Sequence, residues 1–232
     1  MQYAEVARAE SERGEVVLRE RRDRDAGPDA AAVLELRVNG VFVMDTLETA
    51  SERGLASAAL KQVENPRAVV VGGLGLGFTM HEVLADQRVQ RLVVVEIEDA
   101  LVQWMRSGTV PHGPSYLADE RVSVLTADIR VAMAEATRAA YDLVLLDIDN
   151  GPGFLVHAEN EAVYQHDFLE QTRVCLRPGG ALVIWSAAES ADLHQELNAV
   201  FGNVVTVPYD VTLQTRQEHY WLYLSRVPTG PA

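Results

Sequence analysis

One glycine cluster and a small set of acids at regular spacing carry the chemistry this chain offers. The run Val69-Val70-Val71 enters Gly72-Gly73-Leu74-Gly75-Leu76-Gly77, a helical pattern starts at Phe78, and a second apolar run, Leu92 to Val95, ends on Glu96. Glycines after a buried strand let the backbone approach a ligand closely, and an acid on the next strand accepts hydrogen bonds from a ribose. Glu96 stands 19 residues after Gly77, near the roughly 20 expected of such an acid. A dinucleotide frame G-x-G-x-x-G beginning at Gly73 needs glycine where Phe78 stands, and one beginning at Gly75 needs it where Met80 stands. The spacing of Gly73, Gly75 and Gly77 instead fits a sulfonium nucleoside of the S-adenosylmethionine type, with the amides of Leu74 to Gly77 meeting the ligand's far end. A glycine turn that serves only tight strand-to-helix packing is the competing reading.

Two further strand ends supply acids. Asp128 follows Val122-Ser123-Val124-Leu125; there a carboxylate can accept from an adenine amino group, cap the next helix, or do both. Asp147-Ile148-Asp149-Asn150 ends the run from Tyr141 and precedes Gly151-Pro152-Gly153. Alternation along an extended segment sends Asp147 and Asp149 to one side. A carboxylate beside a sulfonium stabilises the cation, and a second one can take a proton from an attacking amine. The donor-binding set is therefore Gly73, Leu74, Gly75, Gly77, Glu96, Asp128 and Asp147, and the catalytic set Asp147, Asp149 and Asn150. His157 and His166 flank the loop after Asp147 and can line an acceptor site, although each alone reads as a surface residue. The six histidines and one cysteine form no metal-binding spacing, so no metal is expected. No G-x-S-x-G elbow and no P-loop lysine is present, which lowers hydrolase and nucleotide-triphosphatase readings.

The 232 residues suffice for one full α/β core and a small appendage. A formal charge of −14 repels polyanions, so nucleic acid is not an expected partner; a cationic amine is compatible, and a merely solubilising acidic surface explains the charge equally well. No apolar run reaches the roughly 18 residues that span a bilayer. The first ten residues lack a basic-then-apolar leader pattern. The expectation is a cytoplasmic protein without membrane association. Cys175 lies in an apolar helical segment and reads as core packing.

The elements that must position these groups alternate. Strands are expected at 68–71, 92–96, 121–125, 142–147, 181–185, 203–207 and 219–224, and helices at 77–86, 99–106, 129–137, 161–176 and 190–200. This is the pattern of a doubly wound, mostly parallel seven-stranded α/β sheet, its last two strands an antiparallel hairpin. Before it, 14–19 reads as a strand, and Asn39-Gly40 between 33–38 and 41–44 as a hairpin turn. A helix over 47–62 closes at Asn65-Pro66.

From about Leu36 to Gly180 the chain resembles the spermidine synthase family of aminopropyltransferases, whose β-hairpin region precedes a Rossmann domain like that of class I S-adenosylmethionine-dependent methyltransferases. Asn39-Gly40-Val41-Phe42 is similar to the family's hairpin, and Val93-Val94-Val95-Glu96-Ile97-Glu98 to its ribose-binding strand. Val163-Tyr164-Gln165-His166-Asp167-Phe168-Leu169 and Leu176-Arg177-Pro178-Gly179-Gly180 are similar to its fifth helix and the following turn. The resemblance implies an N-terminal strand and hairpin region with a linking helix at 1–64 and a nucleoside-binding catalytic domain at 65–232. It also implies S-adenosylmethionine or its decarboxylated form as donor, a small acceptor, an amine among the candidates, and a homodimer. Two departures stand out. The acid of the family's G-G-G-D-G-G loop falls on Leu76. The second acid of its D-x-x-D-P motif falls on Asn150 and the proline on Gly151. Leucine cannot pair with an ammonium and asparagine cannot accept a proton at neutral pH. Methyl transfer is therefore favoured slightly over aminopropyl transfer. Polyamine synthesis with Asp149 as base, and nucleoside binding without catalysis, stay open.

Overall fold

The computed structural model describes residues 2–23, 32–148, 151–153, 155, 157–213 and 216–229. Strands β1 (Gln2–Ser11), β2 (Gly14–Arg22), β3 (Val33–Val38) and β4 (Val41–Asp45) form an antiparallel sheet in that order. Asn39 and Gly40 both take positive φ, 51° and 76°, the conformation a two-residue hairpin requires. The Asn39 side chain then accepts from the Glu15 N–H at 3.0 Å and donates to the Arg13 carbonyl at 3.1 Å. The tip of one hairpin thus ties down the turn of the other. Strand β1 is absent from the sequence-based expectation. Its Ala, Glu and Arg residues are almost all exposed, so no buried alternation marks it, and its ladder with β2 creates it.

Helix α1 (Ala50–Leu60) is shorter than the expected 47–62 because Asp45 commits the approach to it. Its Oδ1 accepts the Leu47 and Glu48 amides, both at 2.9 Å, while Oδ2 accepts from Arg21 at 2.9 Å. Leu55, Ala56, Ala59 and Leu60 bury the inner face of α1, which packs on α2 (Phe78–Ala85) and on the sheet.

The second sheet contains β5 (Ala68–Gly72), β6 (Arg91–Glu96), β7 (Val122–Thr126), β8 (Tyr141–Leu146), β9 (Leu176–Ser186), β10 (Val205–Leu213) and β11 (Arg216–Arg226). Its seven strands run β10-β11-β9-β8-β5-β6-β7. Strands β5 to β9 are parallel, and β11 and β10 are added antiparallel. The near-continuous apolar runs arise because both faces are covered. Val69, Val71, Leu143 and Leu145 face α1, α2, α3 (Asp99–Ser107) and the N-terminal sheet, whose Val16, Leu18 and Leu36 join the same hydrophobic cluster. Val70, Val93, Val144 and Leu146 face the opposite layer, with α5 (Ile129–Glu135), α6 (His166–Cys175) and α7 (Ala191–Phe201). A short α4 (Gly113–Leu117) follows α3. The expected helix over 161–176 is two elements, a 3-10 helix (Ala158–Tyr164) and α6, because Gln165 is extended at φ −93°, ψ 160°.

Strand order reverses between β5 and β8, and a crevice opens at their carboxyl ends, where α/β sheets bind ligands. No helix among the described residues is long and apolar enough to cross a membrane.

Candidate active site

A cleft of about 270 Å³ lies at this switch point. One wall is the glycine loop and the ends of β6 to β8; the other is apolar, built by Leu36, Val38, Phe42, Val43 and Met44 of the N-terminal sheet. The loop is close to the next strand. A Cβ on Gly73, whose φ is +95°, would sit 2.1 Å from the Asp147 carbonyl oxygen. Gly75, φ +49°, passes under the Met44 sulfur, which would lie 2.6 Å from such a Cβ. Only glycine permits both approaches.

Glu96 ends β6 and is 7% exposed, all within reach of the cleft it lines. Its Oε2 accepts the Leu74 N–H at 2.9 Å and its Oε1 the Glu98 N–H at 2.8 Å. Burial pushes its pKa up; the backbone amides of Glu98, Leu74 and Ile97 oppose that rise, the Glu98 charge adds to it, and the net direction is upward. A carboxylate offers about four acceptor sites, so both oxygens can accept further bonds from a ligand. Asp128 also lines the cleft and caps α5, accepting the Arg130 N–H at 2.8 Å and pairing with the Arg130 guanidinium at 2.5 Å. Burial works to raise its pKa, but the Arg130 contacts outweigh it and hold the acid below its ordinary value.

Leu74 and Gly77 are placed differently from Gly73 and Gly75. Neither lines the cleft. The Leu74 amide is taken by Glu96, the Leu76 amide faces the Met44 sulfur at 3.2 Å, and the Gly77 amide closes a turn on the Leu74 carbonyl at 2.8 Å. Those amides hold the loop's own shape. Leu76 is fully buried in the core.

Asp147 follows β8, lines the cleft and accepts from the Thr79 hydroxyl at 2.6 Å. Burial raises its pKa against that hydrogen bond. Asp149 and Asn150 lie outside the described residues. His157 lines the cleft, whereas His166 sits on the surface 3.6 Å from Glu196.

Several lining residues have no counterpart in the sequence-based set. Glu52, in the first turn of α1, opens onto the cleft beside Asp147. Burial and then the Asp147 charge push its pKa from 4.5 to about 7, although the Ser51 hydroxyl donates to it at 2.7 Å. Trp185 ends β9 and packs edge-on to Tyr220 of β11, with ring centroids 4.8 Å apart. Both line the cleft. Arg13, held by the Asn39 contact, reaches across to Glu98 at 3.1 Å. None of these shares a local motif with the glycine loop, and an apolar-acid-apolar cleft formed by distant segments leaves no mark in linear spacing.

This geometry has relatives. Among solved structures, a spermidine synthase in complex with the transition-state analogue AdoDATO superposes with a TM-score of 0.79 at 15% identity, covering 98% of this chain and 75% of that one. Human methyltransferase-like protein 13 in complex with SAH gives 0.59 at 18% identity, over 78% of this chain and 83% of that one. In sequence, putrescine N-methyltransferase 3 of Nicotiana tabacum is 29% identical over 174 residues, 74% of this chain and 42% of the relative. Polyamine aminopropyltransferase 2 of Pseudomonas aeruginosa is 31% identical over 169 residues, 66% of this chain and 46% of the relative. The chain spans less than half the length of these curated relatives. The family model of the spermine/spermidine synthase domain matches residues 48–221, a span that contains the glycine loop, the strands of the large sheet up to the first half of β11, and α1 with Glu52. With three quarters of its length inside that match, the chain belongs to the spermine/spermidine synthase family.

Proposed function

We propose that this chain transfers a methyl group from S-adenosylmethionine to a small amine. The observation that carries the reading is the distribution of acceptors in one cleft: Glu96 at the β6 end, Glu52 and Asp147 at the α1 and β8 end, and an apolar wall between them. The residues suit a sulfonium nucleoside. Glu96, already fixed by two backbone amides, has acceptor capacity left for the ribose hydroxyls. Ile97, Leu101 and Ile129 offer apolar surface to an adenine, with Asp128 at its edge. Asp147 supplies negative charge beside the sulfonium. Holding an amine in line with the donor carbon then provides most of the acceleration, since oriented reactants gain roughly 7–11 kcal/mol over free encounter.

Burial of Leu76 favours methyl over aminopropyl transfer, because the loop presents no carboxylate there to hold an ammonium at the donor's end. The putrescine N-methyltransferase relatives are in line with this. A second reading, aminopropyl transfer from decarboxylated S-adenosylmethionine, is favoured by Glu52 and Asp147, which can hold an ammonium themselves, and by the aminopropyltransferase relative. Incubation with putrescine and each donor separates the two. Formation of S-adenosylhomocysteine supports the first, and formation of methylthioadenosine the second. Calorimetry that detects no S-adenosylhomocysteine binding at millimolar ligand refutes both.

A further inference from the structure

We infer that Glu52 is the base that takes the proton from the acceptor amine, a role carried by the N-terminal helix rather than by the loop after β8. The inference rests on the transferase reading above and adds the residue that performs its proton transfer. Helix α1 packs over β8, β9, β10 and β11, the half of the sheet beyond the switch point, away from Glu96 and Asp128. Glu52 therefore lines the cleft on the side of β8, β9 and β11, as do Trp185 and Tyr220. Those two rings supply the flat apolar surface that an alkylamine and its cation favour. The Trp185 indole N–H is buried without an acceptor among the described residues, in a side chain that lines the cleft.

A base for an amine must hold a proton near neutral pH and still face the nucleophile. Asp147 accepts the Thr79 hydroxyl at 2.6 Å, and the same hydroxyl lies 3.4 Å from the Glu52 backbone carbonyl. That threonine links the two acids, while the Glu52 carboxylate accepts from the Ser51 hydroxyl and from its own backbone N–H. Asp147 from the end of β8 and Asp45 from the end of β4 add negative charge beside Glu52, with Glu48 in the same cleft; Arg13, which also lines it, is paired with Glu98, and His157 lines it too. Arg21 is turned to Asp45, and Arg53 to Glu82 and His81. Burial first, and the like charges beside it second, favour the protonated form of this carboxylate and push its pKa up to about 7.

The step balances. The ammonium of the acceptor gives one proton to the Glu52 carboxylate and becomes a neutral amine. Its lone pair forms the new N–C bond as the C–S bond breaks, with that electron pair remaining on sulfur, and the alkylated nitrogen carries the positive charge. Glu52 then returns its proton to solvent.

The test is turnover of putrescine with S-adenosylmethionine, followed as S-adenosylhomocysteine, for the wild type, Glu52→Gln and Glu52→Asp. Wild-type kcat should rise with a midpoint near pH 7. Glu52→Gln should lose roughly 100-fold or more in kcat, as general-base removal does, together with that rising limb. Its affinity for S-adenosylhomocysteine by calorimetry should stay within about twofold, and Glu52→Asp should recover part of kcat. A Glu52→Gln variant with wild-type kcat and pH profile overturns the inference. So does one that loses S-adenosylhomocysteine binding, which would make Glu52 an anchor for the donor. A wild type that binds S-adenosylhomocysteine but turns over neither donor with putrescine overturns it too, while leaving the nucleoside-binding reading intact.

Discussion

Replacing Glu52 by Gln should make the protein more stable at alkaline pH, by an amount that follows from where the proton is held. Glu52 keeps its proton to about pH 7, against 4.5 for an ordinary glutamate, because burial and the Asp147 charge oppose its ionisation. An acid whose pKa is raised by folding contributes its full stability below the unfolded value. It loses that contribution as pH rises through the folded value. The interval corresponds to about 3.4 kcal/mol at about 1.36 kcal/mol for each factor of ten. Water in the open side of the cleft, and sharing of the proton with Asp147, reduce the part assignable to this side chain to about 2 kcal/mol. Glutamine is neutral throughout and can still accept from Ser51, so the variant escapes the loss. Differential scanning calorimetry at pH 5.5, 6.5, 7.5 and 8.5 should show its Tm advantage growing from under about 2 °C to roughly 4–8 °C, then levelling off above pH 8. An advantage that does not change with pH, or a variant less stable than wild type at pH 8.5, would refute the reasoning.

In an Asp147→Asn background the charge that helps raise Glu52 is gone, so the same calorimetric series should place the Glu52 midpoint below pH 7; an unmoved midpoint would mean burial alone sets it. Gly73→Ala drives a Cβ into the Asp147 carbonyl in a left-handed backbone and should cost more than about 3 kcal/mol in urea unfolding, whereas Gly153→Ala, with nothing within 4 Å, should stay within about 0.5 kcal/mol. Arg21→Leu leaves Asp45 buried without its 2.9 Å partner and should cost about 3–5 kcal/mol. Cys175 is buried with its thiol pKa pushed up by desolvation, so iodoacetamide at pH 8 should label it only after urea unfolding.

The parallel part of the fold is legible in the sequence because burial on two faces writes itself as continuous apolar runs, and each run ends at the carboxyl edge of the sheet. That is why Glu96, Asp128 and Asp147 can be picked out as strand-end acids before any coordinates. The N-terminal sheet is only half legible. Asn39-Gly40 declares its turn, but β1 is almost wholly exposed, with three Ala and two Glu among its ten residues and no buried alternation, and it exists through pairing with β2. The loop amides show a different limit. Glycine spacing announces close backbone approach without saying to what. At Gly73 the neighbour is the Asp147 backbone, and the Leu74 amide is spent on Glu96. Glu52 was illegible for a third reason. It sits in an ordinary helix far along the chain from β8, and only the packing of α1 across that strand brings it beside Asp147.

The two ends of the cleft show how one residue type is given two tasks by its surroundings. Burial raises the pKa of Glu96 and Glu52 alike. At Glu96 fixed N–H groups on the backbone oppose the rise, and those of Leu74 and Glu98 anchor one oxygen each. A carboxylate anchored in this way serves geometry. At Glu52 the donors to the carboxylate are the rotatable Ser51 hydroxyl and the residue's own N–H, and the charges of Asp147 and Asp45 push its pKa further up. A carboxylate so placed exchanges protons near neutrality. Both pKa values move upward, so on the proposed reading it is the hydrogen-bond partners that divide the labour between the two ends. The division can be read by exchange of roles: Glu96→Gln should weaken S-adenosylhomocysteine by roughly 1.5–3 kcal/mol, the worth of hydrogen bonds to a charged group, and leave the pH profile of kcat unshifted. Glu52→Gln should do the reverse. If either variant moves both quantities together, the two ends are not independent, and the assignment of binding to one and proton transfer to the other fails.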